Sequence, residues 1–160
     1  MPPWLFPALL CLAVVLTYYP VLGHGFLLWD DTVHVSENPH IRHTAFFWTT
    51  AYQGIYMPIT YSIWSAAVRL FGMSPAPLHV INAALHLGCA LLVFALLRRL
   101  LAALPDGEAP DAARVTLGAG LGALLFALHP VQVEPVSWIT SLKDMASGLF
   151  ALTALLLMVR

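Results

Sequence analysis

Hydrophobic positions along this chain gather into four long runs separated by polar segments. Trp4 to Leu22 carries no charge and is long enough to cross a bilayer, which takes roughly 20 apolar residues in a helix. A second run extends from about Pro77 to Leu97 and ends on Arg98-Arg99. A third covers Ala112 to Leu128, where His129-Pro130 stops it, and a fourth covers Met145 to Val159. The pattern predicts an all-α membrane protein with about four transmembrane helices, at 4–22, 77–97, 112–128 and 145–159. The longer loops, 23–76 and 129–144, fall on one side, and the polar turn Pro105 to Asp111 falls on the other.

The stretch from Thr44 to Val68 is also uncharged, but Gln53, Gly54 and Pro58 lower its hydrophobicity and interrupt any single helix. Two short amphipathic helices at the membrane surface are expected there, with Trp48, Tyr52, Tyr56, Tyr61 and Trp64 at headgroup level. Gly118, Gly120 and Gly122 give the third run a face that a neighbouring helix can approach closely. Met1-Pro2-Pro3 offers none of the positive charge that opens a signal peptide, so the first run is expected to be retained as a span.

Composition sharpens this picture. The 160 residues are 60% hydrophobic and 9% charged, with a mean hydropathy of +0.82, against roughly 25% charged residues in a soluble domain. A net charge of −1 gives no reason to expect nucleic acid as a partner. Cys11 and Cys89 lie inside apolar runs and are expected to pack as small hydrophobes. Lysine and arginine favour the cytoplasmic side. Arg98, Arg99, Arg114 and Arg160 against Arg42, Arg69 and Lys143 predict cytoplasmic termini and external longer loops. On that topology Asp30, Asp31, Glu37, Glu134 and Asp144 all lie outside. All seven histidines lie in the external loops or in the outer half of the second span.

That side carries the candidate chemistry. Asp30-Asp31 follow the first span almost at once, and carboxylates there need water, a cation or a substrate to offset desolvation. They can act as a general base, ligate a divalent metal, or cap the helix that follows. His79, Asn82 and His86 share one helical face. They can line a substrate cavity, hydrogen-bond between helices, or bind a metal. Lys143, beside Asp144, can hold a phosphate as a point charge or reach to the interface as an anchor. His129 and Glu134 frame a Pro-bounded loop that can face the same cavity as Asp30.

Three ordered blocks carry a resemblance. The first is Phe26-Leu27-Leu28-Trp29-Asp30-Asp31 with Asn38-Pro39. The second is Tyr56-Met57-Pro58-Ile59-Thr60, then Leu70-Phe71-Gly72, Pro77, His79, Asn82 and His86. The third runs Leu125-Phe126-Ala127-Leu128-His129-Pro130-Val131-Gln132-Val133-Glu134, then Val136, Trp138 and Lys143-Asp144. Together they resemble the tetratricopeptide-repeat O-mannosyltransferase family and its bacterial relatives. The resemblance implies a C-type membrane glycosyltransferase that moves a sugar from a polyprenyl-phosphate-linked donor to an acceptor hydroxyl on a protein or glycan. It makes Asp30 and Asp31 catalytic. Lys143, Asp144, His129, Glu134, His79, His86 and Tyr56 become substrate-binding candidates.

It further implies an integral protein of a bacterial inner membrane, in contact with lipid, with its active face external. Bacterial relatives usually read Arg-Lys-Asp where this chain has Leu142-Lys143-Asp144, one cation fewer. Family members also carry more spans and a helical repeat array. The chain therefore reads as the N-terminal portion of such an enzyme, expected to be incomplete as a catalyst and to leave its glycine face and histidine stripe toward lipid. No cofactor is required on this reading, and a divalent metal is compatible with the acidic pair. The alternative is a non-catalytic membrane subunit or binding protein with a histidine-rich external face.

Overall fold

The computed structural model describes residues 2, 4–103 and 111–159. Most of the turn 105–111, and Arg160, lie outside the described residues. Among the described residues every regular element is helical: α1 (Leu5–Tyr18), α2 (Phe46–Thr49), α3 (Pro58–Phe71), α4 (Pro75–Ala102), α5 (Ala112–Leu128), α6 (Val133–Ser137) and α7 (Leu142–Met158). A 3-10 turn, Tyr19–Gly23, prolongs α1, and another, Ile139–Ser141, leads into α7. Among the described residues, three helical segments are long and apolar enough to cross a membrane: Leu5–Gly23, Pro75–Ala102 and Ile139–Met158. A fourth is α5 taken with Pro130–Ser137, bent by 49° at the His129-Pro130 break. The all-helical membrane fold expected from the hydrophobic runs is the one found.

Helix α4 is the centre of the bundle and packs against α1, α5 and α7. The reason is visible in the spacing of its neighbours. Phe6, Leu10, Val14 and Tyr18 recur every fourth residue and form the buried stripe of α1. Ala119, Ala123 and Ala127 do the same on α5. Four-residue spacing stacks side chains on one helical face, and alanine is small enough to let the facing helix come close. Outward-facing Leu12, Leu16, Leu121, Leu125, Phe150 and Leu157 are exposed, as helices surrounded by hydrocarbon require.

The glycine face of α5 is occupied from within the chain rather than left to lipid. A Cβ on Gly120 would stand 2.1 Å from the Phe6 ring, and one on Gly122 would stand 2.7 Å from Leu97. The histidine stripe is likewise turned inward, with His79, Asn82 and His86 all buried. Four helices therefore satisfy each other's close-packing faces, contrary to the expectation that these faces lack partners.

A second core gathers above the bundle. Val35, Ile41, Phe47, Tyr61, Trp64, Val68, Leu78, Ile139 and Leu142 pack together, and the Phe47 and Tyr61 rings stack at 4.0 Å. Helix α3 is amphipathic, as the sequence predicts, while α2 is a single turn. Tyr61 and Trp64 correct one detail: both are buried in this core instead of sitting at headgroup level, whereas Trp48 and Tyr56 are exposed. The first long loop is thus a folded lobe seated on one end of the bundle.

Candidate active site

The loop-bearing end of the bundle brings together residues from the two polar segments and the start of α4. Asp31 is the hinge of this arrangement. Its side chain is 1% exposed, and its two oxygens accept different backbone N–H groups. Leu27 N–H donates to Oδ2 at 3.0 Å, and Thr140 N–H donates to Oδ1 at 3.1 Å. One carboxylate therefore ties the loop after α1 to the segment ahead of α7. Asp31 stands at the N-terminus of the π-turn Thr32–Ser36 but makes no side-chain capping bond to it. Charge-assisted bonds of this kind are stronger than neutral ones, and here they fix two separate strands of backbone.

Asp30 differs from its neighbour. It is half-buried and has no hydrogen-bond partner among the described residues. Its charge reaches His34, as does that of Lys143. The two aspartates thus divide into one held carboxylate and one free one.

His34 Nδ1 lies 2.6 Å from the Tyr61 hydroxyl, and its carbonyl accepts from Asn38 Nδ2. Burial pushes the imidazole below its ordinary value, against the upward pull of Asp30 and with the downward push of Lys143. Burial, reinforced by Tyr52, pushes the Tyr61 phenol up. A histidine whose folded value is depressed binds protons more readily when unfolded, so stability rises with pH across that window. This contribution is full above about pH 6.5, the unperturbed histidine value, and is lost as pH falls toward the depressed one. Thermal unfolding in lipid should show an acid-side loss of stability that His34→Gln flattens; an unchanged profile in that variant would rule His34 out as its source.

Beside Asp31 lies a cavity of about 580 Å³, lined by His24, Phe26, His79, Glu134, Ser137 and Trp138 among others. Leu27 also lines it, so Asp31 holds one wall directly and, through Thr140, the segment that follows Trp138 in another. His79 is 2% exposed; among the described residues neither ring nitrogen has a partner of normal hydrogen-bond geometry, and the His24 backbone is the polar group that approaches the ring. The His24 ring stands edge-on to it at 6.5 Å. Trp138 Nε1 is buried and also without a partner. Its carbonyl accepts from Asn82 Nδ2 at 2.8 Å, which anchors this wall to α4.

The histidine stripe therefore splits by depth. His79 lines the cavity, Asn82 positions a cavity wall, and His86 works inside the bundle. His86 Nε2 lies 3.0 Å from the Ala127 carbonyl, which also accepts from the Tyr18 hydroxyl. Carbonyls in the last turn of a helix have no partner within it, so these two side chains serve the end of α5.

The other candidates are spread around the same end. Glu134 is exposed and lines the cavity. Lys143 Nζ donates to the Thr140 carbonyl at 3.1 Å and stands 3.5 Å from Asp144, with both side chains about half exposed. His129 accepts from Val131 N–H and closes the turn after α5. Tyr56 donates to the Trp48 carbonyl on the outer side of the lobe. Among the described residues no three His, Cys, Asp or Glu side chains converge in a metal-holding group. His24, His34 and Tyr61 are not among the site candidates that the sequence offers. No spacing rule connects residue 24 with 79, or 34 with 61, and only the clustering of histidines in the same loops hinted at them.

Comparison with known proteins agrees with the sequence resemblance. The chain is 30% identical over 168 aligned residues to a protein of Drosophila melanogaster named Protein O-mannosyl-transferase Tmtc3. The match takes in 92% of this chain but 18% of the relative, so the chain spans under one fifth of that protein's length. No family model matches the chain, and no solved structure matches it. Along nearly its whole length, then, this multi-helix membrane chain is distantly similar to an O-mannosyltransferase.

Proposed function

We propose that the chain is the N-terminal portion, 1–160, of a polytopic membrane glycosyltransferase related to the tetratricopeptide-repeat O-mannosyltransferases. On this reading it belongs to the C-type superfamily. The enzyme takes a sugar from a polyprenyl-phosphate-linked donor and passes it to an acceptor hydroxyl on a protein or glycan, on the external face of a bacterial inner membrane. The similarity over 92% of the chain to a protein named as an O-mannosyltransferase carries this reading. The arrangement of the two aspartates supports a division of labour within it. Asp31 holds the site together, while Asp30, free of partners, takes the proton from the acceptor hydroxyl as that oxygen attacks the sugar carbon. The departing phosphate gains negative charge, which a nearby cation stabilises; Lys143, half exposed and fixed to Thr140, is the candidate.

Two measurements test this. The first is transfer of a labelled sugar from a polyprenyl-phosphate donor by the longest version of the protein. Turnover supports the reading, and its absence with every donor sugar tried favours a non-catalytic subunit. The second concerns sidedness. After Cys11 and Cys89, both free thiols, are replaced, a cysteine at Glu37 should react with impermeant reagent in intact cells and one at Asp111 should be protected. The reverse pattern would invert the membrane orientation and move the cavity to the cytoplasmic face.

A further inference from the structure

The end of the bundle opposite the lobe carries a second cavity, and the proposed transfer chemistry makes no use of it. From His79 to Arg98, helix α4 rises about 28 Å at roughly 1.5 Å per residue, close to the ~30 Å of bilayer hydrocarbon. Arg98 and Arg99 therefore stand at the headgroup level of the other membrane face. There the last turns of α4 and the first turn of α5 flank a space of about 470 Å³. Its walls are small and apolar, among them Ala102, Ala112 and Val115, and its polar members are Arg98, Arg99 and Thr116. No carboxylate lines it.

The two arginines are held differently. Arg99 Nη1 donates to the carbonyls of Leu156 and Val159, which ties the end of α7 to α4. Arg98 is exposed, and its guanidinium stands over the Phe94 ring, 5.6 Å from the ring centre. Among the described residues Arg98 makes no side-chain hydrogen bond or ion pair. A guanidinium offers five N–H donors in a planar fork, a geometry that matches the oxygens of a phosphate. The first turn of α5 adds the positive end of a 17-residue helix, which favours an anion. Asp111, just ahead of that turn, is already engaged with Ala113 N–H and, at 3.7 Å, with Arg114.

We propose that this cavity binds the phosphodiester of an anionic phospholipid, with Arg98 as its principal contact and the apolar walls against the glycerol and the first acyl carbons. A zwitterionic headgroup fits less well, because its choline or amine would meet two guanidinium groups and no carboxylate. Free phosphate would leave the apolar walls uncovered. Basic pockets between spans on the cytoplasmic side hold anionic headgroups in other membrane proteins, and the orientation proposed above puts this end on that side. A lipid seated here joins α4 to α5, as Arg99 joins α4 to α7. The assignment is independent of the glycosyltransferase reading and of the cavity beside Asp31.

The test is native mass spectrometry of the 160-residue chain, released from nanodiscs made of equal parts phosphatidylcholine and phosphatidylglycerol. Phosphatidylglycerol should stay bound in clear preference to phosphatidylcholine. Arg98→Gln should weaken its retention roughly tenfold or more, the effect of losing a charge-assisted hydrogen bond. Arg114→Gln removes the same charge from the same end but outside the cavity, where its side chain is 89% exposed, and should leave retention within about twofold. Ala102→Trp keeps every charge and fills the cavity, so it should expel the lipid as well. Ala102 is exposed, which lets this variant decide the matter even if Arg98→Gln fails to fold. Equal retention of the two lipids, equal losses in Arg98→Gln and Arg114→Gln, undiminished binding in Ala102→Trp, or displacement by inorganic phosphate at matched concentration would each overturn the proposal.

Discussion

Asp30→Asn, in a version of the protein competent for transfer, should lose roughly 10²–10⁴-fold in initial rate, the usual worth of a general base. Its abundance in the membrane should not change. The amide keeps the shape of the side chain and removes its basicity. Asp30 makes no hydrogen bond that the substitution could break. A role as helix cap predicts the opposite result, because asparagine caps about as well as aspartate. Initial rates at matched protein level decide between them. Retention of more than about half the rate, against the hundredfold loss expected of a base, would remove Asp30 from the mechanism.

Asp31→Asn should behave differently, and the contrast is the sharper test. An asparagine side chain has a single acceptor oxygen, whereas Asp31 accepts from both Leu27 and Thr140. One backbone N–H would then face an NH₂ group, donor against donor, in a place that water does not reach. Breaking a hydrogen bond to a buried charge costs about 1.5–3 kcal/mol. Asp31→Asn should therefore lower the thermal midpoint and the membrane abundance, with loss of rate following from loss of structure. Thermal unfolding of the two variants side by side reads this directly. An unshifted midpoint in Asp31→Asn would mean that the carboxylate does not hold the loops together in the membrane.

The spans were legible because length and hydropathy alone demand them. Trp4 to Leu22 or Pro77 to Leu97 cannot be satisfied in water, and Gly54 with Pro58 stops a further span from forming. The inward turn of Gly120 was half legible. Small residues announce a close approach, but nothing in a single sequence says whether the partner is Phe6 of the same chain or a helix further on. Tyr61 and Trp64 were misplaced for a related reason: aromatic residues near a membrane surface suit either the headgroups or a protein core, and only packing against Phe47 and Val35 decides. The site was least legible. Asp30 and Asp31 are adjacent and chemically identical in the sequence, and what separates them is a backbone N–H at Thr140, contributed 109 residues later in the chain.

That distance has a consequence for how the protein is made. Membrane proteins are threaded into the bilayer from the N-terminus as they are synthesised, so Asp31 emerges with α1 long before Thr140 exists. Until then its Thr140-facing oxygen has only water to bind. The two halves of the cavity wall meet once the segment ahead of α7 arrives, and α7 must be seated for that segment to hold its place. Nascent chains halted before residue 140 would carry the acidic pair already exposed at the membrane surface, yet lack the enclosure around it. The order of insertion thus keeps the pocket unformed until the segment ahead of α7 has been made.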